Sequence, residues 1–169
     1  MVEPWLRGTL TEVDAVRRQV LHALELTSED VERWCVGLTD DEINARPFGL
    51  PPVAFHLRHI ARSLDRLLTY EAGGQLTEAQ MRRLGSEMEP NALTEQVLGE
   101  VRAVLAQASE RIGMIEPGEY EEVRGVGRAM LPSTVGGLMV HCAEHSQRHA
   151  GQAITTAKMV RGMRTALIT

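Results

Sequence analysis

Four long segments of this chain of 169 residues repeat apolar residues every three or four positions. That spacing places side chains on one face of an α-helix and predicts amphipathic helices. We expect these helices at residues 10–26, 53–72, 90–112 and 134–160, and the glycine pair Gly73–Gly74 should end the second one. Between the third and fourth helices, a glycine-rich stretch at 123–127 is expected to form a short extended piece or a hairpin.

The connections between the long helices carry helix-start signals of their own. Ser28 is expected to cap a short helix that ends near Cys35, and capping-box sequences beginning at Thr39 and Thr77 predict two further short helices. Because 43% of the residues are hydrophobic but only 4% are aromatic, the core should be aliphatic. The length fits one domain, residues 1–169. The sequence thus predicts an all-α fold, a four-helix bundle with short extra helices in the connections.

Charge and cysteine content restrict the class of partner. The net charge is −5 and no basic block is present, so we expect no nucleic-acid partner. The amino terminus has no apolar signal-peptide core, and no apolar run approaches the length that spans a membrane. Two cysteines, Cys35 and Cys142, do not make a disulfide framework. A cytoplasmic protein without a membrane partner is therefore expected.

Five of the six histidines occur in two groups, while His22 stands alone and is expected to be partly exposed. The groups are His56 and His59 in the second predicted helix, and His141, His145 and His149 in the fourth. Residues four positions apart on a helix stack on one face, one turn apart. Two imidazoles at that spacing can bind a single metal ion, as they do in helical zinc sites.

The position of each histidine relative to the apolar stripe of its helix separates the candidates. His145 and His149 fall in the middle of the stripe, and His141 falls on its edge. In the second helix, His56 lies nearer the apolar centre than His59, so periodicity alone favours His56 as the buried residue. Buried imidazoles need partners for their nitrogens, and a metal ion is such a partner. Three histidine ligands leave coordination positions open for water or substrate, which is typical of a catalytic site.

Other interpretations of these residues remain open at this point. A buried histidine is often a hydrogen-bonded core residue, and Cys142 is most simply a small apolar one. The stretch from His141 to His145 also fits the H-x-x-E-H pattern of some metalloproteases, but no third-ligand carboxylate accompanies this short pattern. Arg148 and Gln152 are expected either near the mouth of the site or on an ordinary helix surface.

Two motifs together resemble the DinB/YfiT-like superfamily of metal-dependent enzymes. One is H-x-x-x-H-x-x-x-H-x-G-Q at 141–152, and the other is PPVAFHLRHIA at 51–61. The chain departs from the family pattern at Ala150, where members often carry arginine. The resemblance implies an up-down-down-up four-helix bundle, often dimeric, with one divalent metal. Matched position by position, it implies that His59, His145 and His149 are the ligands, with His56 in reserve.

The resemblance also implies a class of chemistry. Relatives are metal-dependent transferases or isomerases that use low-molecular-weight thiols such as bacillithiol, mycothiol or glutathione. We therefore expect a divalent cation, zinc or nickel before iron or manganese, and a small-molecule or thiol substrate. The alternatives are a metal-dependent hydrolase and a non-catalytic metal-binding or stress-response module. The catalytic residues are not identified by the sequence.

Overall fold

The computed structural model describes residues 2–166, with side chains described for residues 2–164. Most of this part of the chain is helical. The helices are α1 (Ala15–Cys35), α2 (Asp40–Asn44), α3 (Val53–Glu71), α4 (Glu78–Gly85), α5 (Thr94–Met114) and α6 (Val135–Ala166). Two short strands, β1 (Val123–Val126) and β2 (Leu131–Thr134), lie between α5 and α6. The expectation of a mainly helical fold is confirmed, but the strands make the fold less than purely α.

Helix α1 differs from its predicted bounds at both ends. It begins at Ala15 rather than Leu10, because Leu10 has a left-handed backbone with φ of +55°, and Asp14 caps the helix by accepting from the backbone N–H of Arg17. It then continues through Ser28 to Cys35 as one helix, whereas two were predicted. Ser28 shows that a residue suited to capping can also lie inside a helix. Tertiary packing decides whether such a residue begins a new helix.

The other helix boundaries follow the predicted signals more closely. Both capping boxes, Thr39 with Glu42 and Thr77 with Gln80, are present at the starts of α2 and α4. Gly73, with φ of +74°, takes up the left-handed conformation just beyond α3. Helix α5 begins four residues later than predicted, at Thr94, after a stretch in which the backbone turns through a left-handed residue.

The strands form an antiparallel hairpin that leads directly into α6. Val123 pairs with Thr134, and Val126 pairs with Leu131. The hydroxyl of Thr134 then accepts from the backbone N–H of Gly137 and caps α6, a role that its sequence suggests for Ser133 or Thr134. A Cβ on Gly136 would lie 3.1 Å from the carbonyl oxygen of Tyr120, so the close approach of this loop to α6 favours glycine there.

The core is aliphatic, as predicted. The most extensive helix contact is between α3 and α6, and α6 also packs along α1. Both free cysteines are fully buried among apolar side chains. Within residues 2–166, no helix combines the length and the apolar character needed to cross a membrane. The largest fully buried side chains include Leu24, Ile43, Leu57, Ile60, Leu64, Leu98, Ile112 and Met139.

Candidate metal centre

The contact between α3 and α6 brings three histidines together. One nitrogen atom of each of His59, His145 and His149 lies within 4.8 Å of the others. The ring centroids are 4.3 Å apart for His59 and His149, 4.7 Å for His145 and His149, and 4.9 Å for His59 and His145. His145 and His149 share one face of α6 because they are four residues apart, and His59 meets that face from α3. Three imidazoles converging in this way can hold one divalent cation.

His145 carries the clearest sign that a partner belongs in this cluster. Its Nε2 atom is buried and has no hydrogen-bond partner among the described residues. A buried polar nitrogen without a partner costs free energy, and a cation bound by that lone pair would remove the cost. The residues present therefore fit a metal that prefers nitrogen ligands.

The imidazoles of His145 and His149 are held in the neutral form, which is the form that binds metal. Burial, followed by the charges of neighbouring histidines, lowers the pKa of His145 to about 4. The pKa of His149 is also lowered to about 4, first by burial and then by the charge of His59. Both rings are therefore neutral at neutral pH, and a cation need not displace a proton from them.

His59 is oriented by a carboxylate that the sequence reasoning missed. Its Nδ1 atom lies 2.7 Å from Oε2 of Glu87, whose side chain is only 5% exposed. Oε1 of the same carboxylate accepts from Arg66 at 2.8 Å. Burial alone would raise the pKa of Glu87, but the hydrogen bonds from His59 and Arg66 outweigh it and hold that pKa below its usual value. Glu87 lies between α4 and α5, where no sequence spacing links it to the histidines.

His56 is also at the cluster, where it contacts His149. Its Nδ1 atom lies 3.1 Å from Nδ1 of His149, so one of these nitrogens can donate to the other. The residue is 3% exposed, and burial lowers its pKa to about 4. Apolar periodicity was thus right that His56 is more buried than His59. The more buried of these two histidines is, however, not the one that meets both His145 and His149. The histidine that meets both is His59.

His141 lies outside the group of three. Its side chain is half-exposed, and its Nδ1 atom lies 2.9 Å from Glu144, which also pairs with Arg148. The glutamate of the H-x-x-E-H pattern is therefore engaged on the helix surface, which gives the metalloprotease interpretation no support. His22, expected to be partly exposed, is instead buried in α1 with its Nδ1 atom 3.5 Å from Glu25.

A cavity of about 460 Å³ adjoins His56, which contacts the cluster through His149. Its volume is within the range that small-molecule sites occupy. Arg148 and Gln152 line it, and both residues are exposed on the surface of α6. The other residues that line the cavity are Leu50, Pro51, Gly151, Thr155 and Thr156.

Cys142 is fully buried, and burial raises the pKa of its thiol to about 12. This cysteine is therefore a core residue and not a nucleophile.

Comparison with known proteins agrees with this geometry. A conserved protein from Enterococcus faecalis, known from its crystal structure, superposes with a TM-score of 0.72 over 89% of this chain and 99% of its own, at 17% sequence identity. That likeness shows a shared fold. No curated protein matches the sequence. The sequence model of the DinB superfamily matches residues 23–153, which include all three clustered histidines, and the chain therefore belongs to the DinB superfamily.

Proposed function

We propose that this protein is a metal-dependent enzyme that holds one divalent cation with His59, His145 and His149. The observation that carries the proposal is the convergence of three imidazoles around a buried, unpartnered nitrogen of His145. A divalent cation bound there would lower the pKa of a coordinated thiol or water and so supply a nucleophile at neutral pH. The all-imidazole donor set suits zinc or nickel best, and iron or manganese would be the next candidates.

The surrounding residues have separate tasks in this proposal. Glu87 orients His59, and His56 contacts the nitrogen of His149 that faces it. The cavity beside His56 would accept the small-molecule substrate. Arg148 is engaged by Glu144, whereas the amide of Gln152 makes no hydrogen bond within the described part of the chain. Gln152 is therefore the cavity residue best placed to contact a polar group of the substrate.

We favour thiol transfer as the reaction, with a low-molecular-weight thiol as the nucleophile and a small electrophile as the acceptor. Superfamily resemblance and the open coordination positions of a three-histidine site support it. Hydrolysis would need the same site with water in place of the thiol. His56 supports a second candidate: its ring nitrogen 3.1 Å from His149 could move in to saturate the ion, which would make the site a structural brace in a non-catalytic module.

Elemental analysis of protein purified without added metal tests the proposal. We expect about one divalent cation per chain, because the donor set is preformed and burial keeps the imidazoles of His145 and His149 neutral. Chelation should remove the ion, and added zinc or nickel should restore it. A protein that stays metal-free after incubation with each of these ions, while folded by circular dichroism, would refute the metal site and every reaction that depends on it.

Acidification should destabilise the metal-free protein between pH 6.5 and about 4. The folded-state pKa values of His56, His145 and His149 are lowered to about 4, whereas unfolded histidines titrate near their ordinary value of 6.5. Across that window the unfolded chain binds protons that the folded chain does not, so its free energy falls relative to the folded state. Calorimetry in chelator should show a falling Tm that is shallower in His145→Gln; identical pH profiles for the two proteins would contradict this.

Metal should add a second pH-dependent contribution to stability. Because protons compete with the cation for the same lone pairs, occupancy should fall as the pH falls. At neutral pH the metal-loaded protein should melt at a higher temperature than the chelated one, and the difference should vanish at low pH. Equal melting temperatures at neutral pH would show that the ion does not contribute to the stability of the fold.

We further propose that residues 1–169 form one domain, an up-down-down-up bundle built on α1, α3, α5 and α6, and that two copies associate as a homodimer. Exposed apolar side chains on α6, among them Val140, Met159 and Met163, offer surface that a second copy could cover. Light scattering at micromolar concentration should give about twice the chain mass of 18.7 kDa. A mass near that of one chain would rule out the dimer.

A further inference from the structure

The segment between α4 and α5 is fastened to α3 by a row of arginines. Arg58, Arg62 and Arg66 recur every fourth residue and therefore share one face of α3. Arg58 donates to the carbonyl oxygen of Glu89 at 2.7 Å, and Arg62 donates to Ser86 at 3.0 Å. Arg66 is the last of the row and pairs with Glu87. These contacts fasten a residue on each side of Glu87 to α3, Ser86 through its hydroxyl and Glu89 through its carbonyl oxygen.

Glu87 is thereby fixed with its carboxylate inside the protein, against His59. A buried carboxylate is unfavourable unless its oxygens are paired, and here one oxygen faces Arg66 and the other faces Nδ1 of His59. Because an ionised carboxylate only accepts hydrogen bonds, Nδ1 of His59 must carry the proton. The lone pair of that imidazole is then on Nε2, which lies 3.5 Å from the hydroxyl of Ser63, and a cation would bind to this nitrogen.

We propose that Glu87 is a positioning residue for the metal site: it selects the tautomer of His59, fixes the plane of the ring and strengthens Nε2 as a ligand. This inference rests on the proposed function, since it assigns Glu87 a role toward the cation. The role also gives a reason for the burial of Glu87, which lies in the irregular segment between α4 and α5. Carboxylates that accept from a ligating histidine typically change metal affinity by roughly 10–100-fold when they are removed.

Glu87→Gln tests the role, because it removes the charge and keeps the size of the side chain. Glu100→Gln is the matched control. Glu100 also pairs with an arginine of this row, Arg62 at 3.0 Å, and with Arg83 at 2.7 Å, but no histidine contact is among its hydrogen bonds. Affinity for zinc or nickel, measured by competition calorimetry, should fall roughly 10–100-fold in Glu87→Gln and stay within about twofold of the parent in Glu100→Gln.

A second measurement reads the tautomer directly and needs no metal. Nitrogen NMR of the His59 ring in chelated protein should show the proton on Nδ1 in the parent and in Glu100→Gln. Glu87→Gln should instead show a mixture of the two tautomers, because a neutral amide can donate as well as accept. If Glu87→Gln keeps both the parent tautomer and the parent affinity, the inference is overturned.

Glu87→Asp separates charge from shape. It restores the negative charge on a side chain one methylene shorter, and it should recover part of both the Nδ1–H tautomer and the affinity. If the aspartate variant resembles Glu87→Gln in both readouts while it remains folded, charge at this position is not what orients His59. A parent protein that binds no cation would refute the proposed function, whereas the tautomer measurement would still decide the role of Glu87.

Discussion

Replacing His145 or His149 with alanine is expected to abolish stoichiometric binding of a divalent cation. The two imidazoles supply two of the three nitrogens that converge in the cluster, and each is neutral at neutral pH because burial lowers its pKa to about 4. Two remaining histidines would leave the ion with too few protein ligands for a stable tetrahedral site. Dialysis against zinc followed by elemental analysis should give less than roughly a tenth of the parent occupancy.

His59→Ala and His141→Ala complete this series. His59→Ala should weaken binding severely, because it removes the only ligand from α3 in the described cluster. His141→Ala is the matched control, since this residue lies on the same helix one turn away but pairs with Glu144 on the surface. It should bind metal as the parent does. If His141→Ala loses the ion while His59→Ala keeps it, the ligand assignment is wrong.

Thiol conjugation by the metal-loaded protein is expected to disappear on chelation, return on addition of metal, and be absent from His149→Ala. A free low-molecular-weight thiol is mostly protonated at neutral pH, so an agent that lowers its pKa increases the fraction of reactive thiolate. Conjugation of bacillithiol, mycothiol, glutathione or coenzyme A to a generic electrophile can be followed by loss of free thiol. The helical circular-dichroism signal of His149→Ala should match the parent, which would assign the loss to the site and not to unfolding.

The cavity beside His56 gives this activity a second control. Gly151 lines the cavity, and a Cβ built on it meets nothing within 4 Å, so Gly151→Leu should place an apolar side chain at the cavity wall. Conjugation should fall while metal occupancy is kept. Gly99→Leu, at a glycine of α5 that is equally unobstructed, should leave both unchanged. Metal-replete protein that neither binds nor conjugates any of the four thiols would refute thiol transfer. Metal-dependent hydrolysis or a non-catalytic metal-binding role would then be the favoured function.

Some expectations failed where local sequence signals compete with packing. Ser28 was expected to start a new helix, yet α1 runs through it to Cys35, because the flanking residues continue an apolar face that packs on the rest of the core. Helix α5 begins later than the proline and asparagine at 90 and 91 indicated, since Asn91 takes up a left-handed backbone. His22 was expected to be partly exposed, yet it is buried among the residues of α1 that face the protein interior.

The sequence by itself determined the helices and the pairing of His145 with His149. Both follow from local geometry, because apolar periodicity selects the helix and a spacing of four residues places two imidazoles on one face. Only the tertiary structure decided how α3 is rotated against α6, and that rotation brings His59 to the pair on α6 while His56 contacts His149. It alone also placed Glu87 against His59, since this contact joins residues 28 positions apart through an irregular segment whose path depends on the arginines of α3.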